Sequence, residues 1–350
     1  MGNDKVKKVS FVNRIINKVL RYFRLNNEPV IKVYHGYSNG KNITVYGHAL
    51  ALSSLPRKTF RKRVVTNFFS MLRLFIVKPL PGAKLKMNFK DSEYFTSSEI
   101  DGFYKFEIET TELVKPGKHE VFVTLLQDET FKEVKATGII FVPDEYKYAV
   151  ISDVDDTFLI SHSSNLRKRL YVLLTKNAHS RKPFEGVIQH YKMLANAGVK
   201  TGYKNPFFYV SSSEWNLFDF LNDFAKKHEL PEGVFLLSQL KKIGEVFKTG
   251  QGKHSAKYMR IVRIVEAFPN QQLILLGDDS QMDPSIYLSM VEHFPGKISC
   301  VYLRQTNVAI KDTVKKIVEK IIVGGTPCCY FRDSAEAMKH SEKLGLVQLV

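Results

Sequence analysis

The 350 residues carry 44% hydrophobic and 25% charged side chains, ordinary proportions for a globular chain long enough to hold two cores and unlike a disordered one. Lysine and arginine number 52 against 35 aspartate and glutamate, a formal charge of +17 that points to an anionic partner: nucleic acid, an anionic membrane surface or a phosphorylated substrate. Three cysteines, two of them adjacent (Cys328, Cys329), form neither a disulfide framework nor a zinc-ligand spacing and fit a reducing, cytoplasmic compartment.

No apolar run approaches the roughly 20 residues of a membrane-spanning helix. The amino terminus also lacks the pattern of a secretory signal. Residues 1–28 are predicted as a basic amphipathic helix. Phe11, Val12, Ile15, Ile16, Val19, Leu20 and Phe23 share one half of a helical wheel, with Arg14, Lys18, Arg21 and Arg24 on the other. Such a helix either docks on the protein's own core or lies on an anionic bilayer, where each basic residue near the surface contributes about 1 kcal/mol.

Residues 29–145 change to period two. VIKVYHGYS, NITVYGHAL, KLKMNF, YKFEIE, HEVFVTLL and ATGIIFV read as strands of a small β-sandwich-like domain. A basic helical stretch near 57–75 interrupts them, either a second surface-binding element or an inserted helix packed on the core. From 146 to 350 short apolar runs (YAVI, FFYV, VFLL, LILL, ISCVYL) alternate with helical stretches. That alternation predicts an α/β domain, a parallel sheet with helices on both faces. Ligands of such sheets bind at the carboxyl ends of strands.

Two of those ends are acidic. SDVDDTFLISHS places Asp153, Asp155 and Asp156 in one turn directly after YAVI, a crowding that a cation would offset. LILLGDDSQMDP presents Asp278 and Asp279, with Asp283 one turn further on, after a glycine, Gly277, expected to let the backbone turn sharply. Carboxylates converging at one edge suit magnesium, which takes hard oxygen ligands and keeps several waters. A third strand ends in Ser211, Ser212 and Ser213, where hydroxyls can hold a phosphoryl oxygen or cap the following helix. Lys257, with Lys253 as the competing candidate, stands near the start of the helix that feeds the Asp278 strand and could neutralise phosphate.

The order Asp-x-Asp-x-Thr, Ser-ended strand, Lys, Gly-Asp-Asp resembles the haloacid dehalogenase (HAD) superfamily of aspartate-nucleophile phosphatases, including Thr157 at the fifth motif position. The resemblance implies a HAD-like Rossmannoid fold in which Asp153 attacks phosphorus and forms an aspartyl-phosphate, and Asp155 serves as general acid and then base. It implies that Asp153, Asp278 and the Asp155 carbonyl hold Mg2+, and that Ser211 and Lys257 bind the transferring group. More narrowly, SDVDDTFLISHSSN, NPFFYVSSSEWNLFDF, LILLGDDSQMDPSIY and VYLR resemble the actin-patch-associated magnesium-dependent phosphatidate phosphatases of fungi and their bacterial relatives. That family's Gly-Asp-Ser-Gly-Gln turn reads Gly-Asp-Asp-Ser-Gln here, so Asp279 is expected to adjust metal or substrate preference. The same resemblance puts Arg304, with Thr157 and Ser212, on the phosphate side.

The expected activity is hydrolysis of phosphatidate to diacylglycerol and phosphate, at an anionic phospholipid membrane surface that the enzyme meets from the cytoplasm. Only about 25 residues separate Thr157 from Pro183, too few for a large cap, and they mix leucines with Arg167, Lys168, Arg169, Lys176, Arg181 and Lys182. They form a helix packed on the sheet or a basic lip over a headgroup. A soluble or protein phosphoester as substrate, and a non-catalytic membrane adaptor on the same scaffold, are the rival readings. No nucleic-acid partner is expected, because no module with base-stacking aromatics on a basic strand face is recognisable.

Overall fold

The computed structural model describes residues 25, 26, 28–54, 73–126, 133–143, 146–159, 182–240, 253–306 and 311–347. Most of the predicted amino-terminal helix, most of the predicted insertion near 57–75 and the basic stretch after Thr157 lie outside the described residues, as does the side chain of Lys253. At the edges of these regions two expectations change. Leu25–Asn26 form a short strand against Ser53 and Ser54, and Arg73–Phe75 form a 3-10 turn that buries Phe75.

The first half is built on strands β1 (Leu25–Asn26), β2 (Val30–Val33), β3 (Gly36–Ser38), β4 (Asn42–Ser54), β5 (Lys78–Pro79), β6 (Lys84–Phe89), β7 (Ser92–Ser97), β8 (Phe103–Glu109), β9 (Gly117–Leu125) and β10 (Val134–Val142). They join in one ten-stranded sheet in which long β4 pairs with β1, β2, β3, β5 and β8. All pairings are antiparallel except β3 with β10. The period-two pattern has a direct cause. In β6, Leu85, Met87 and Phe89 point inward while Lys84, Lys86 and Asn88 point out, and across the pairing with β9 they meet Val121, Val123 and Leu125.

The second half contains β11 (Tyr148–Ser152), β12 (Phe207–Glu214), β13 (Gly233–Ser238), β14 (Gln272–Asp278), β15 (Ile298–Arg304) and β16 (Cys328–Phe331). These run parallel in the order β13-β12-β11-β14-β15-β16. Between and after them lie α1 (Val187–Ala195), α2 (Phe218–Lys227), α3 (Lys253–Ala267), α4 (Asp283–His293), α5 (Asp312–Val323) and α6 (Ser334–Lys343). Every residue of β11, β12 and β13 is buried, as expected of strands covered on both faces. The chain steps outward from β11 to β13, then returns beside β11 with β14 and steps the other way. That reversal opens a crevice at the carboxyl ends of β11 and β14.

The two sheets share a core. Tyr34, Tyr37, Tyr46 and Phe75 of the first half pack among the buried residues of the second. Tyr34 stacks on Trp215 with centroids 4.0 Å apart and planes 10° from parallel. Tyr37 meets Phe208 and Phe268 edge-on or tilted, and Asn216 donates to the Leu74 carbonyl (2.9 Å). Trp215 directly follows the serine-ended strand β12, so this contact braces one wall of the crevice. Trp215→Ala is therefore expected to destabilise the protein by about 3–5 kcal/mol, read as a lowered urea midpoint with an unchanged slope.

Candidate active site

Asp153 and Asp278 come together because β11 and β14 are neighbours. The Asp153 N–H donates to the Leu276 carbonyl (2.8 Å), tying the two strand ends. Asp283 joins them from the first turn of α4, where a carboxylate suits the positive end of the helix and Pro284 suits the first helical positions. Oxygens of Asp153, Asp278 and Asp283 all lie within 4.8 Å of one another, and all three residues are buried. Lys257, on α3, places its ammonium 2.5 Å from Asp153 Oδ1 and 2.5 Å from Asp283 Oδ1.

Three buried carboxylates face one buried ammonium, and the electrostatics follow from that count. Burial pushes the Asp153 carboxyl up to about 8, assisted by Asp283 and Asp155 and opposed by Lys257. Burial likewise holds Asp278 well above the ordinary carboxylate range, with Asp283 and Asp153 adding to it. For Lys257 burial works against the charge, yet Asp153 and Asp283 outweigh it and keep the ammonium protonated above its usual value. A divalent cation among these oxygens would supply the missing positive charge, and the donor set, all carboxylate, is what a hard cation takes. Asp283 Oδ2 has no hydrogen-bond partner among the described residues, which leaves it available as a ligand.

Gly277 differs from its expected role. It lies within β14, paired with Leu303, rather than at a turn. Its necessity is close approach. A Cβ there would stand 2.6 Å from Asp283 Oδ2 and 2.7 Å from Tyr287 Cε2, so only glycine lets Asp283 return to the cluster. The sharp turn is elsewhere, at Asp156, whose φ of 60° lies in the left-handed region that asparagine and aspartate tolerate best among non-glycine residues.

Asp155 stands apart from the three-carboxylate cluster. Its Oδ2 accepts from Ser213 Oγ (2.6 Å) and lies 3.3 Å from Ser211 Oγ. Ser211 and Ser213, two apart on β12, thus present hydroxyls to one oxygen, with Ser212 buried between them. Thr157 Oγ1 lies 3.1 Å from Asp153 Oδ2 and 3.5 Å from Asp278 Oδ2, between two carboxylates of the cluster.

Two expected site residues are directed elsewhere. Asp279, expected among the metal ligands, turns its carboxylate to the Thr306 N–H (2.9 Å) and the Tyr330 hydroxyl (2.7 Å), while Lys311 reaches its carbonyl (3.0 Å). Those donors draw it toward β16 and out of the cluster. Arg304, expected on the phosphate side, is buried and donates to the carbonyls of Thr157 and Arg332 and to the Ser334 hydroxyl. Ser213, expected only as one of three serines at this strand end, holds Asp155 more closely than Ser211 does, and Arg260 was not among the expected residues. Arg260 Nη1 donates to the Ser211 carbonyl and Nη2 to Ser238 Oγ, each at 3.0 Å, securing the ends of β12 and β13. Its place three residues after Lys257, on the same helical face, was a signal available in the sequence.

A cleft of about 830 Å3 lies at the amino ends of β12 and β13, among Pro116, Tyr203, Pro231 and Glu232. It sits at the opposite edge of the sheet from the carboxylates, so volume alone does not mark the chemistry.

Residues 148–305 match the family model of the phosphatidate phosphatase APP1 catalytic domain. A curated protein of Schizosaccharomyces pombe, described as uncharacterized, is 22% identical over 279 residues; the match covers 79% of this chain but 43% of that protein's length. Among solved structures, a carbohydrate acetylesterase from Xanthomonas citri aligns over 91% of this chain and 74% of its own at 8% identity, with a TM-score of 0.33. A calcium-stabilised, ice-binding adhesin of an Antarctic bacterium aligns over 36% of this chain and 28% of its own at 13% identity, with a TM-score of 0.20.

Gly277→Ala is expected to displace Asp283, lower stability by about 1–3 kcal/mol and weaken Mn2+ binding in a calorimetric titration. Wild-type affinity in that variant would show that Asp283 is not a ligand.

Proposed function

We propose that this chain is a magnesium-dependent phosphatidate phosphatase that works through an aspartyl-phosphate at Asp153. One observation carries the reading: the carboxylate cluster with its lysine lies at the sheet's crevice, inside the stretch that matches the phosphatidate phosphatase catalytic domain. On this reading the parallel half is a HAD-like Rossmannoid fold spanning 146–350, the antiparallel half a β-sandwich-like domain spanning 29–145, and residues 1–28 a basic amphipathic helix.

Asp153, Asp278 and Asp283 would hold Mg2+. When bound, the ion offsets the charge of the carboxylates and of the substrate phosphate. Asp153 is the nucleophile: a carboxylate oxygen forms a bond to phosphorus as the bond from phosphorus to the diacylglycerol oxygen breaks. Lys257 keeps a fixed positive charge 2.5 Å from Asp153 Oδ1, beside the bond that forms to phosphorus, where charge neutralisation and positioning dominate phosphoryl transfer. Asp155, held off the cluster by Ser211 and Ser213, gives its proton to the departing alkoxide. It then takes a proton from the water that attacks phosphorus, releasing phosphate and restoring Asp153. Thr157 orients the carboxylates of Asp153 and Asp278.

The lipid part of the proposal draws on the +17 charge, which suits a peripheral enzyme meeting an anionic phospholipid membrane surface from the cytoplasm. No helix among the described residues is long and apolar enough to cross a membrane.

Purified protein with Mg2+ is expected to release phosphate from phosphatidate in mixed micelles faster than from water-soluble phosphoesters, and chelation is expected to abolish release until Mg2+ is restored. A preference for a soluble phosphoester would overturn the lipid assignment. Asp153→Asn is expected to lower turnover by about three orders of magnitude or more while the circular dichroism spectrum stays unchanged. Retained turnover would remove Asp153 as nucleophile.

A further inference from the structure

Beside the site the segment 157–159 meets the segment 183–185. Leu159 bridges Pro183, and the Phe184 N–H donates to the Phe158 carbonyl (3.1 Å). Arg304, the last residue of β15, lies across this junction. Its guanidinium carbon sits 4.4 Å from the Phe184 ring centroid and 4.8 Å from that of Phe331. Nε donates to the Thr157 carbonyl (3.0 Å), Nη1 to the Arg332 carbonyl (3.2 Å) and Nη2 to Ser334 Oγ (2.9 Å). Ser334 Oγ in turn donates to the Glu185 carbonyl (2.7 Å). One cation therefore holds the Thr157 segment directly and the segment of Phe184 and Glu185 through a ring and a serine.

The chemistry of this contact is that of a spacer. All three acceptors are neutral oxygens, so the fork is matched for direction rather than for charge pairing. The residue it holds most closely to the chemistry is Thr157, whose hydroxyl stands between Asp153 and Asp278. Functional constellations tolerate displacements of only about 0.5 Å, and the Thr157 backbone, on a tight turn with Asp156 in the left-handed region, needs an external anchor to meet that tolerance.

We propose that Arg304 is a positioning residue: by fixing the Thr157 carbonyl it sets the Thr157 hydroxyl and so keeps Asp153 and Asp278 in ligand geometry. The proposal rests on reading the carboxylate cluster as a metal site, and adds to it a residue that touches neither metal nor phosphate. A lysine could not substitute, since the three donors of an ammonium radiate from one rotatable nitrogen and cannot span three separated acceptors, and it has no plane to lie between two rings.

The test uses the full chain carrying Arg304→Lys, titrated calorimetrically with Mn2+ and assayed for phosphate release. Mn2+ affinity and kcat are each expected to fall about 10- to 100-fold, with KM for phosphatidate changed by less than about twofold. Thr157→Val and the double variant supply the readout that a merely structural role would not move. If Arg304 acts through Thr157, then Arg304→Lys adds little once the hydroxyl is gone. Wild-type Mn2+ affinity in Arg304→Lys, or fully additive losses in the double variant, would overturn the proposal. Should Arg304→Lys fail to fold, Ser334→Ala, which removes one acceptor and the tie to Glu185, is expected to weaken Mn2+ binding about two- to threefold, and unchanged affinity there would count equally against it. Weakened Mn2+ binding in a protein whose wild type releases no phosphate would uphold Arg304 and reject the phosphatase reading instead.

Discussion

Asp153, Asp278 and Asp283 are kept out of water within a few ångströms of one another with a single ammonium, that of Lys257, to balance them. Such an arrangement is unfavourable by itself, because burial and mutual repulsion both oppose ionisation. It persists because each carboxylate is delivered by a rigid element: Asp153 by β11, Asp278 by β14, Asp283 by the first turn of α4. Neither strand can withdraw without breaking its parallel ladder, and α4 is pinned by Tyr287, whose hydroxyl donates to the Leu276 carbonyl (2.8 Å). The stability of the fold is thus what holds together a cluster whose missing positive charge a cation would supply.

The surroundings make sense as supports for that state. Arg260 secures the ends of β12 and β13, Arg304 secures the turn after β11, and Thr306 with Tyr330 secures the backbone after Asp278 through Asp279. The antiparallel sheet contributes at longer range. Tyr34 packs face-on against Trp215, immediately beyond the serines that hold Asp155. A sheet that contributes none of the described site residues therefore shapes the wall on which Asp155 rests.

Much of this was legible along the chain, and the remainder was hidden for a physical reason. Apolar runs ending in Asp153 and Asp278 reveal themselves because a parallel strand buried on both faces must be continuously hydrophobic, and its polar terminus must sit at the sheet's edge. The parallel half followed from the same pattern. Position along a strand does not reveal where a long side chain goes, which is why Asp279 and Arg304 were expected to face the ligand and instead face the protein. Gly277 was expected at a turn; its reason for being glycine is the approach of Asp283 and Tyr287, a contact in space that no local pattern encodes. Ser213 was passed over in favour of Ser211 because three consecutive serines are indistinguishable until the strand's facing is known. The stacking of Tyr34 on Trp215 joins residues nearly two hundred positions apart, beyond the reach of periodicity.

The order of strands across the parallel sheet has a consequence for how the protein comes into being. Strands β11 and β14 are neighbours in space, but the hydrogen-bonded contact between Thr157 and Asp278 spans 121 residues and that between Asp153 and Lys257 spans 104. On a chain emerging from synthesis, Asp153 waits beside an empty sheet position until more than a third of the protein has followed it. Closing loops of that length is among the slow steps of folding. The acidic cluster, and with it any affinity for a cation, therefore requires β14 beside β11 and cannot precede that pairing. A chain in which that pairing has not formed carries the scattered aspartates without the cluster, so binding of a cation there would report arrival at the native topology.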